Sequence, residues 1–296
     1  MAVVIAVPGS EDHASQLGQR LGVPVVIPEV RTFPDGEIYV RIDADLVGQD
    51  AILCGSLHRP AAGLGDKFLQ VAFLAGTARD LGARRVGLVA PYLAFMRQDA
   101  RFKAGEGITA KYFADLVSRT VDWLVTVDPH LHRLDALAKI YSIPTTIARA
   151  APAIAAWVTS SVKEPVLVGP DAESEQWVAA VAARCGAPFI ILEKTRRGDR
   201  DVSVTAPGRT LTGYTPVLID DIVSTGRTML EATRMLCAAG SAPPMCVAIH
   251  AVFADAVQGD LVGAGARGIV TCNTIPHASN QISVCDSIAD ATRNYL

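Results

Sequence analysis

Short, unbroken apolar runs rich in β-branched residues recur along this chain, each followed by a turn and, for most, a helical stretch. Val3–Val7 precedes a helical pattern over Glu11–Leu21, and Ala51–Leu57 precedes one over Lys67–Leu81. Arg85–Ala90 leads through a polar loop to a helical Ile108–Val117, and Trp123–Val127 ends on Asp-Pro-His. A second round comprises Pro165–Val168, helical Ser174–Cys185, Phe189–Glu193, Val217–Ile219, helical Thr228–Ala239, Met245–Val252 and Ile269–Cys272. A strand that is apolar at every position is buried on both faces, which happens where helices cover both sides of a parallel sheet. The expected fold class is α/β, with two tandem domains, each a mainly parallel sheet flanked by helices. The seam is placed within Ile140–Ala153, where Pro144 and Pro152 flank two threonines. The expected domains are 1–147 and 148–296, with the last residues free to pack back on the first domain.

Composition narrows the classes of function. No apolar run approaches the ~20 residues of a membrane span, although mean hydropathy is +0.29. The net charge of −3 gives no basic field, so neither nucleic-acid nor membrane binding is expected. The six cysteines form no C-x-x-C pair and sit mostly in apolar segments, which reads as reduced thiols in a cytoplasmic protein. The opening MAVVIAVPGS lacks the basic flank and cleavage site of a signal peptide and reads as the first strand.

The densest chemistry lies in VLIDDIVSTGRT, residues 217–228. A buried strand ends in Asp220 and Asp221, a short polar turn follows, and a helix begins near Thr228. Open parallel sheets bind ligands just outside the carboxyl ends of their strands. Backbone amides and hydroxyls of Ser224, Thr225, Gly226, Arg227 and Thr228 can ring a phosphate at the helix N-terminus, where the dipole also favours an anion. Asp220 and Asp221 would then reach hydroxyls or a hydrated Mg²⁺. Asp- and Ser-rich turns are common as plain helix caps, but two acids plus S-T-G-x-T behind an apolar run are much rarer. Elsewhere RTFPDGEIYVRI, residues 31–42, combines a Pro-Asp-Gly turn with alternating Ile38, Val40 and Ile42, the pattern of an antiparallel hairpin with a charged tip.

Residues 217–228 resemble the phosphoribosyl-pyrophosphate (PRPP) loop of type I phosphoribosyltransferases and PRPP synthetases. Further matches follow in order along nearly the whole chain and narrow the choice. FPDGE at 33–37 resembles the synthetase nucleotide-binding hairpin, and Pro91-Tyr92 with Arg97-Gln98-Asp99 resembles its PY…RQD segment. TVDPH at 126–130 resembles its metal motif, Lys194 and Arg196 with Gly198-Asp199 its catalytic loop, and the T-x-NTIP run at 271–276 its C-terminal motif. The chain is thus similar to the ribose-phosphate pyrophosphokinases. The resemblance implies two phosphoribosyltransferase-like domains and transfer of the diphosphoryl group of ATP to the 1-hydroxyl of ribose 5-phosphate, with Mg²⁺. It implies Lys194 and Arg196 as catalytic cations on a polar, mobile loop, Thr195–Asp201. It places Phe33, Asp35, Gly36, Glu37, Arg97, Gln98 and His130 on the nucleotide, and Asp128, His130 and Asp171 on the metal. Asp220 and Asp221 would meet the ribose hydroxyls and residues 224–228 the 5-phosphate. In the family the hairpin reaches a neighbouring subunit's active site, which implies a homo-oligomer, at least a dimer and commonly a hexamer. Two departures stand out: Arg227 replaces a second glycine of the loop, and bulky, acidic Ala172-Glu173-Ser174-Glu175 replaces a small, Gly-rich turn.

Overall fold

The apolar runs are strands, several of them buried along their whole length. The computed structural model describes residues 1–58, 64–131, 136–192, 195–197, 201–203, 211–253 and 256–296. These form two units, Met1–Arg149 with Cys285–Leu296, and Ala150–Val284.

The first unit contains β1 (Ala2–Ala6), α1 (Glu11–Leu21), β2 (Val25–Val26), β3 (Glu29–Thr32), β4 (Ile38–Arg41), β5 (Asp50–Cys54) and α2 (Leu64–Asp80). It continues with β6 (Arg85–Ala90), α3 (Thr109–Thr120), β7 (Trp123–Val127) and β8 (Thr145–Ala148). Six strands form one sheet in the order β2-β1-β5-β6-β7-β8, and every pairing is parallel. β1, β5 and β7 are buried at every position, as their mainly apolar sequence requires, with Asp50 of β5 and Thr126 of β7 as buried polar exceptions. Neighbouring strands leave no room for a side chain at Gly87: a Cβ there would lie 2.0 Å from the Trp123 indole. β3 and β4 form a separate antiparallel hairpin.

The second unit contains α4 (Ala151–Ser161), β9 (Pro165–Gly169), α5 (Glu175–Cys185), β10 (Phe189–Ile191), β11 (Thr195–Arg197), β12 (Asp201–Ser203) and β13 (Thr215–Val223). α6 (Arg227–Ala238), β14 (Met245–Ala251), α7 (Ala256–Gly263), β15 (Gly268–Cys272) and β16 (Asn280–Ile282) complete it. Its sheet runs β10-β9-β13-β14-β15-β16, again wholly parallel. Leu218, Val223, Met229, Leu236, Ile269 and Leu261 belong to one buried cluster beneath the helices. Both sheets reverse their chain order between the first and third strands, at β1/β5 and at β9/β13. Such a switch point opens a crevice at the carboxyl ends of the two strands.

Two segments differ from the sequence expectation. Thr145–Ala148, within the expected seam, is an edge strand, and α4 begins just after it. Pro144 precedes the strand, and Pro152 lies in the first helical turn, where a missing N–H costs nothing. The segment expected as a polar loop at Thr195–Asp201 is in its described part a short antiparallel ribbon, with Arg196 opposite Val202.

The chain returns to the first unit as α8 (Cys285–Arg293). Arg293 donates to the Arg20 carbonyl of α1 at 2.8 Å, and the Cys285 thiol donates to Gln16 at 3.1 Å. Tyr295 then stacks on Trp123, with ring centroids 4.5 Å apart and planes 1° from parallel. Its hydroxyl lies 2.7 Å from Thr146 Oγ1, and its carbonyl accepts from Arg85 at 2.7 Å.

Candidate active site

In the second unit the site grows from the unequal lengths of two neighbouring strands. β9 pairs with β13 only as far as Val168 opposite Leu218. β13 runs on to Val223 because β14 supplies partners as far as Ala251. The strand expected to stop at Ile219 therefore continues through both acids, and Asp220 and Asp221 stand past the end of β9, at the switch point. Asp221 is buried, and its Oδ1 accepts from the Ile222 N–H at 2.6 Å. Asp220 Oδ1 accepts from the Asp221 N–H at 3.0 Å. Burial first, then the charges of Asp221, Asp171 and Glu173, push the Asp220 carboxyl up to about 8, against the lowering effect of that N–H.

Asp171 follows β9 and caps the 3₁₀ turn Ala172–Ser174 that leads into α5. Its Oδ1 accepts from the Glu173 and Ser174 amides at 3.1 and 3.2 Å, and neither bond uses Oδ2. The bulky turn thus keeps Asp171 in place, while Glu173 adds a further negative charge close enough to act on Asp220.

After β13, Gly226 takes a left-handed φ of +70° and forms the entry to α6. A Cβ there would sit 2.5 Å from Val257 Cγ1, so both conformation and space require glycine. No side chain caps α6, which leaves its first amides and its dipole facing the turn. Ser224 and Thr228 are half-buried, while Thr225 and Arg227 are exposed, with Arg227 the first residue of the helix.

In the first unit the expected residues fall into two groups. Asp128 lies one residue past β7, buried, at a left-handed φ of +29° that is unusual for a non-glycine residue. His130, half-buried, follows two residues later. Arg97 (exposed) and Gln98 (half-buried) lie in the loop after β6, the strand beside β7. The second group is the hairpin tip. Gly36 has φ +97° and donates to the Phe33 carbonyl at 2.9 Å, and Asp35 accepts from the Glu37 N–H at 3.1 Å. Phe33, Asp35 and Glu37 are exposed, and a cavity of about 680 Å³ lies between hairpin residues Thr32, Gly36, Glu37, Ile38 and α2 residues Asp66, Leu69, Gln70, Phe73. Arg31, which sequence reasoning passed over, holds its guanidinium 4.6 Å from the Phe33 ring centre and 4.2 Å from that of Tyr39.

Lys194, Gly198 and Asp199 lie outside the described residues. Among the described residues no group of three or more His, Cys, Asp or Glu is arranged to hold a metal ion. The T-x-NTIP motif is tied to β14 and to the chain before α8: Thr274 donates to the Ile249 carbonyl at 2.7 Å and lies 2.9 Å from His250 Nδ1, and Asn273 accepts from the Val284 N–H at 2.9 Å. Arg149 was also missed; it pairs with Asp128 at 2.9 Å. It sits in the segment taken for a seam, so no motif pointed to it.

The fold and the strand-end loop define a phosphoribosyltransferase-type α/β protein, and residues 138–286 match the model of the phosphoribosyl transferase domain. Residues 2–120 match the N-terminal domain of ribose phosphate pyrophosphokinase. The chain is 31% identical over 290 residues to the ribose-phosphate pyrophosphokinase of Sulfurisphaera tokodaii, covering 96% of this chain and 97% of that protein. It is 33% identical to that of Saccharolobus solfataricus, covering 92% and 93%. The crystal structure of phosphoribosylpyrophosphate synthetase from Mycobacterium smegmatis superposes with a TM-score of 0.83 at 25% identity, covering 99% of this chain and 98% of that one. The chain belongs to the ribose-phosphate pyrophosphokinase family.

Proposed function

We propose that this chain transfers the diphosphoryl group of ATP to the 1-hydroxyl of ribose 5-phosphate, forming PRPP and AMP for nucleotide biosynthesis. The observation that carries the reading is the acid pair and uncapped helix N-terminus at the β9/β13 switch point, in a chain that matches ribose-phosphate pyrophosphokinase relatives over nearly its whole length. The amides of 224–228 and the start of α6 take the 5-phosphate. Asp221 and Asp220 meet the ribose hydroxyls. The attacking group is the substrate's own hydroxyl, so no protein nucleophile is required. Phosphoryl-type transfer depends on alignment and charge neutralisation, which falls to Lys194 and Arg196 on the segment that follows β10 in the chain.

The donor set suits Mg²⁺: besides burial, the neighbouring charges of Asp221, Asp171 and Glu173 raise the proton affinity of Asp220, and a hard divalent cation relieves that repulsion. Asp171, with Oδ2 outside its capping bonds, and Asp128 with His130 are the residues assigned to hold it. When bound, Mg²⁺ neutralises and orients the nucleotide phosphates. Arg97 and Gln98 hold nucleotide phosphates and base edge, and the exposed hairpin tip, with Phe33, Asp35, Gly36 and Glu37, takes the nucleotide. A tip so exposed favours the shared-site reading, in which it completes a neighbouring subunit's site in a homo-oligomer. The six free cysteines fit a cytoplasmic location, and no described helix is long and apolar enough to cross a membrane.

The test is product formation by purified protein given ribose 5-phosphate, ATP and Mg²⁺. Equal amounts of AMP and PRPP are expected. PRPP consumption with free bases, and no PRPP formation, would mark a phosphoribosyltransferase instead.

A further inference from the structure

The register of the first sheet places a cation beside the acid of the metal motif. Val127 of β7 pairs with Ala148 of β8, and the Asp128 N–H donates to the Ala148 carbonyl at 3.2 Å. The next residue on each strand is then Asp128 on one side and Arg149 on the other, and their side chains meet at 2.9 Å. The two partners are unlike. The Asp128 side chain is 2% exposed and its backbone is held at an uncommon φ, so the carboxylate is fixed. The Arg149 side chain is 59% exposed, so its guanidinium can swing into water at little cost. A buried carboxylate needs a positive partner. A guanidinium and a divalent ion drawn to one carboxylate repel each other across the few ångströms between them.

We infer that Arg149 is an exchangeable counter-ion: it neutralises Asp128 in the metal-free chain, and a divalent cation must displace it to bind there. Arg149 is thus a positioning residue that sets metal affinity. The inference rests on the assignment of Asp128 to the metal.

The probe is Mn²⁺ alone, titrated into the full chain and followed by the electron paramagnetic resonance of the free ion, with no nucleotide and no turnover. Binding lost in Asp128→Asn defines the Asp128 site. Arg149→Met and Arg149→Gln should each tighten that site about tenfold, the equivalent of one charge-assisted hydrogen bond removed from the competition. Arg149→Lys keeps a cation and should stay near wild type. Thermal melts of each variant confirm folding, and the two neutral replacements guard against one failing to fold. Unchanged affinity in both neutral variants overturns the inference, and weaker binding overturns it by showing that Arg149 orients Asp128 for the metal. If Asp128→Asn leaves Mn²⁺ binding intact, the metal assignment itself fails and takes this inference with it.

Discussion

Replacing Asp50 by Asn isolates an ion-pair cluster that fastens the first unit. The Asp50 side chain is 3% exposed and accepts from Arg84 at 2.9 and 2.6 Å and from Arg85 at 3.3 and 2.6 Å. Burial alone would raise its carboxyl, but the hydrogen bonds and charges of the two arginines outweigh that and hold it at about 2. At ~1.4 kcal/mol per unit, the gap from an ordinary aspartate corresponds to ~2.5 kcal/mol. Both guanidinium groups stand partly in water, and screening there reduces the stabilisation to ~1–1.5 kcal/mol. The folded value lies below the unfolded one, so the stabilisation is complete above pH ~4 and disappears as pH falls toward 2. The amide replacement would also leave two guanidinium groups side by side with one neutral acceptor. Arg85, which additionally holds the Tyr295 carbonyl, would lose its anchor. Urea unfolding of wild type and Asp50→Asn at pH 7, 5, 4 and 3 measures this directly. The variant should be less stable by ~2 kcal/mol at pH 7 and 5, with the gap closing below pH 4. Equal stability at pH 7, or a gap that does not shrink on acidification, refutes the reasoning.

Asp220 should behave oppositely. Its raised folded value makes the native state keep a proton that the unfolded chain releases near pH 4, so stability falls as pH rises from ~4 toward 8. Asp220→Asn should raise Tm at pH 8, leave it nearly unchanged at pH 4, and raise the KM for ribose 5-phosphate; a lower Tm at pH 8 would contradict the origin assigned to the shift. Gly226→Ala should cost ~1–2 kcal/mol of stability, from its positive φ and the contact with Val257. It should also raise the KM for ribose 5-phosphate; an unchanged KM would detach this turn from the sugar phosphate. Lys194→Ala and Arg196→Ala should each lower kcat ~10²–10³-fold with little effect on ribose 5-phosphate binding, as for groups that act on developing charge. Near-normal turnover in both removes the catalytic segment from the mechanism.

The helices with a clear apolar stripe were legible from sequence: α1 was expected at Glu11–Leu21 and occupies those residues. α4 and β8 were not, because Pro144 and Pro152 read as breaks and the threonines between them as a polar linker; only docking on a neighbouring strand makes Thr145–Ala148 a strand. The length of β13 was also hidden. Aspartates disfavour strands in isolation, and it is β14 that carries the ladder past Asp220 and Asp221. The T-x-NTIP motif was legible only by resemblance, and its hydrogen bonds to β14 give it a structural role.

By itself the sequence determined the α/β class, the two rounds of strands and the strand–acid–loop–helix segment at 217–228, because these follow from local periodicity and from residue types that a phosphate site needs. Tertiary structure alone decided that Asp171 and Glu173 act on Asp220, that Asp50 gathers two arginines, and that Arg149 meets Asp128. Those partners lie far apart in the chain or in segments without a pattern, and only strand order and register bring them together.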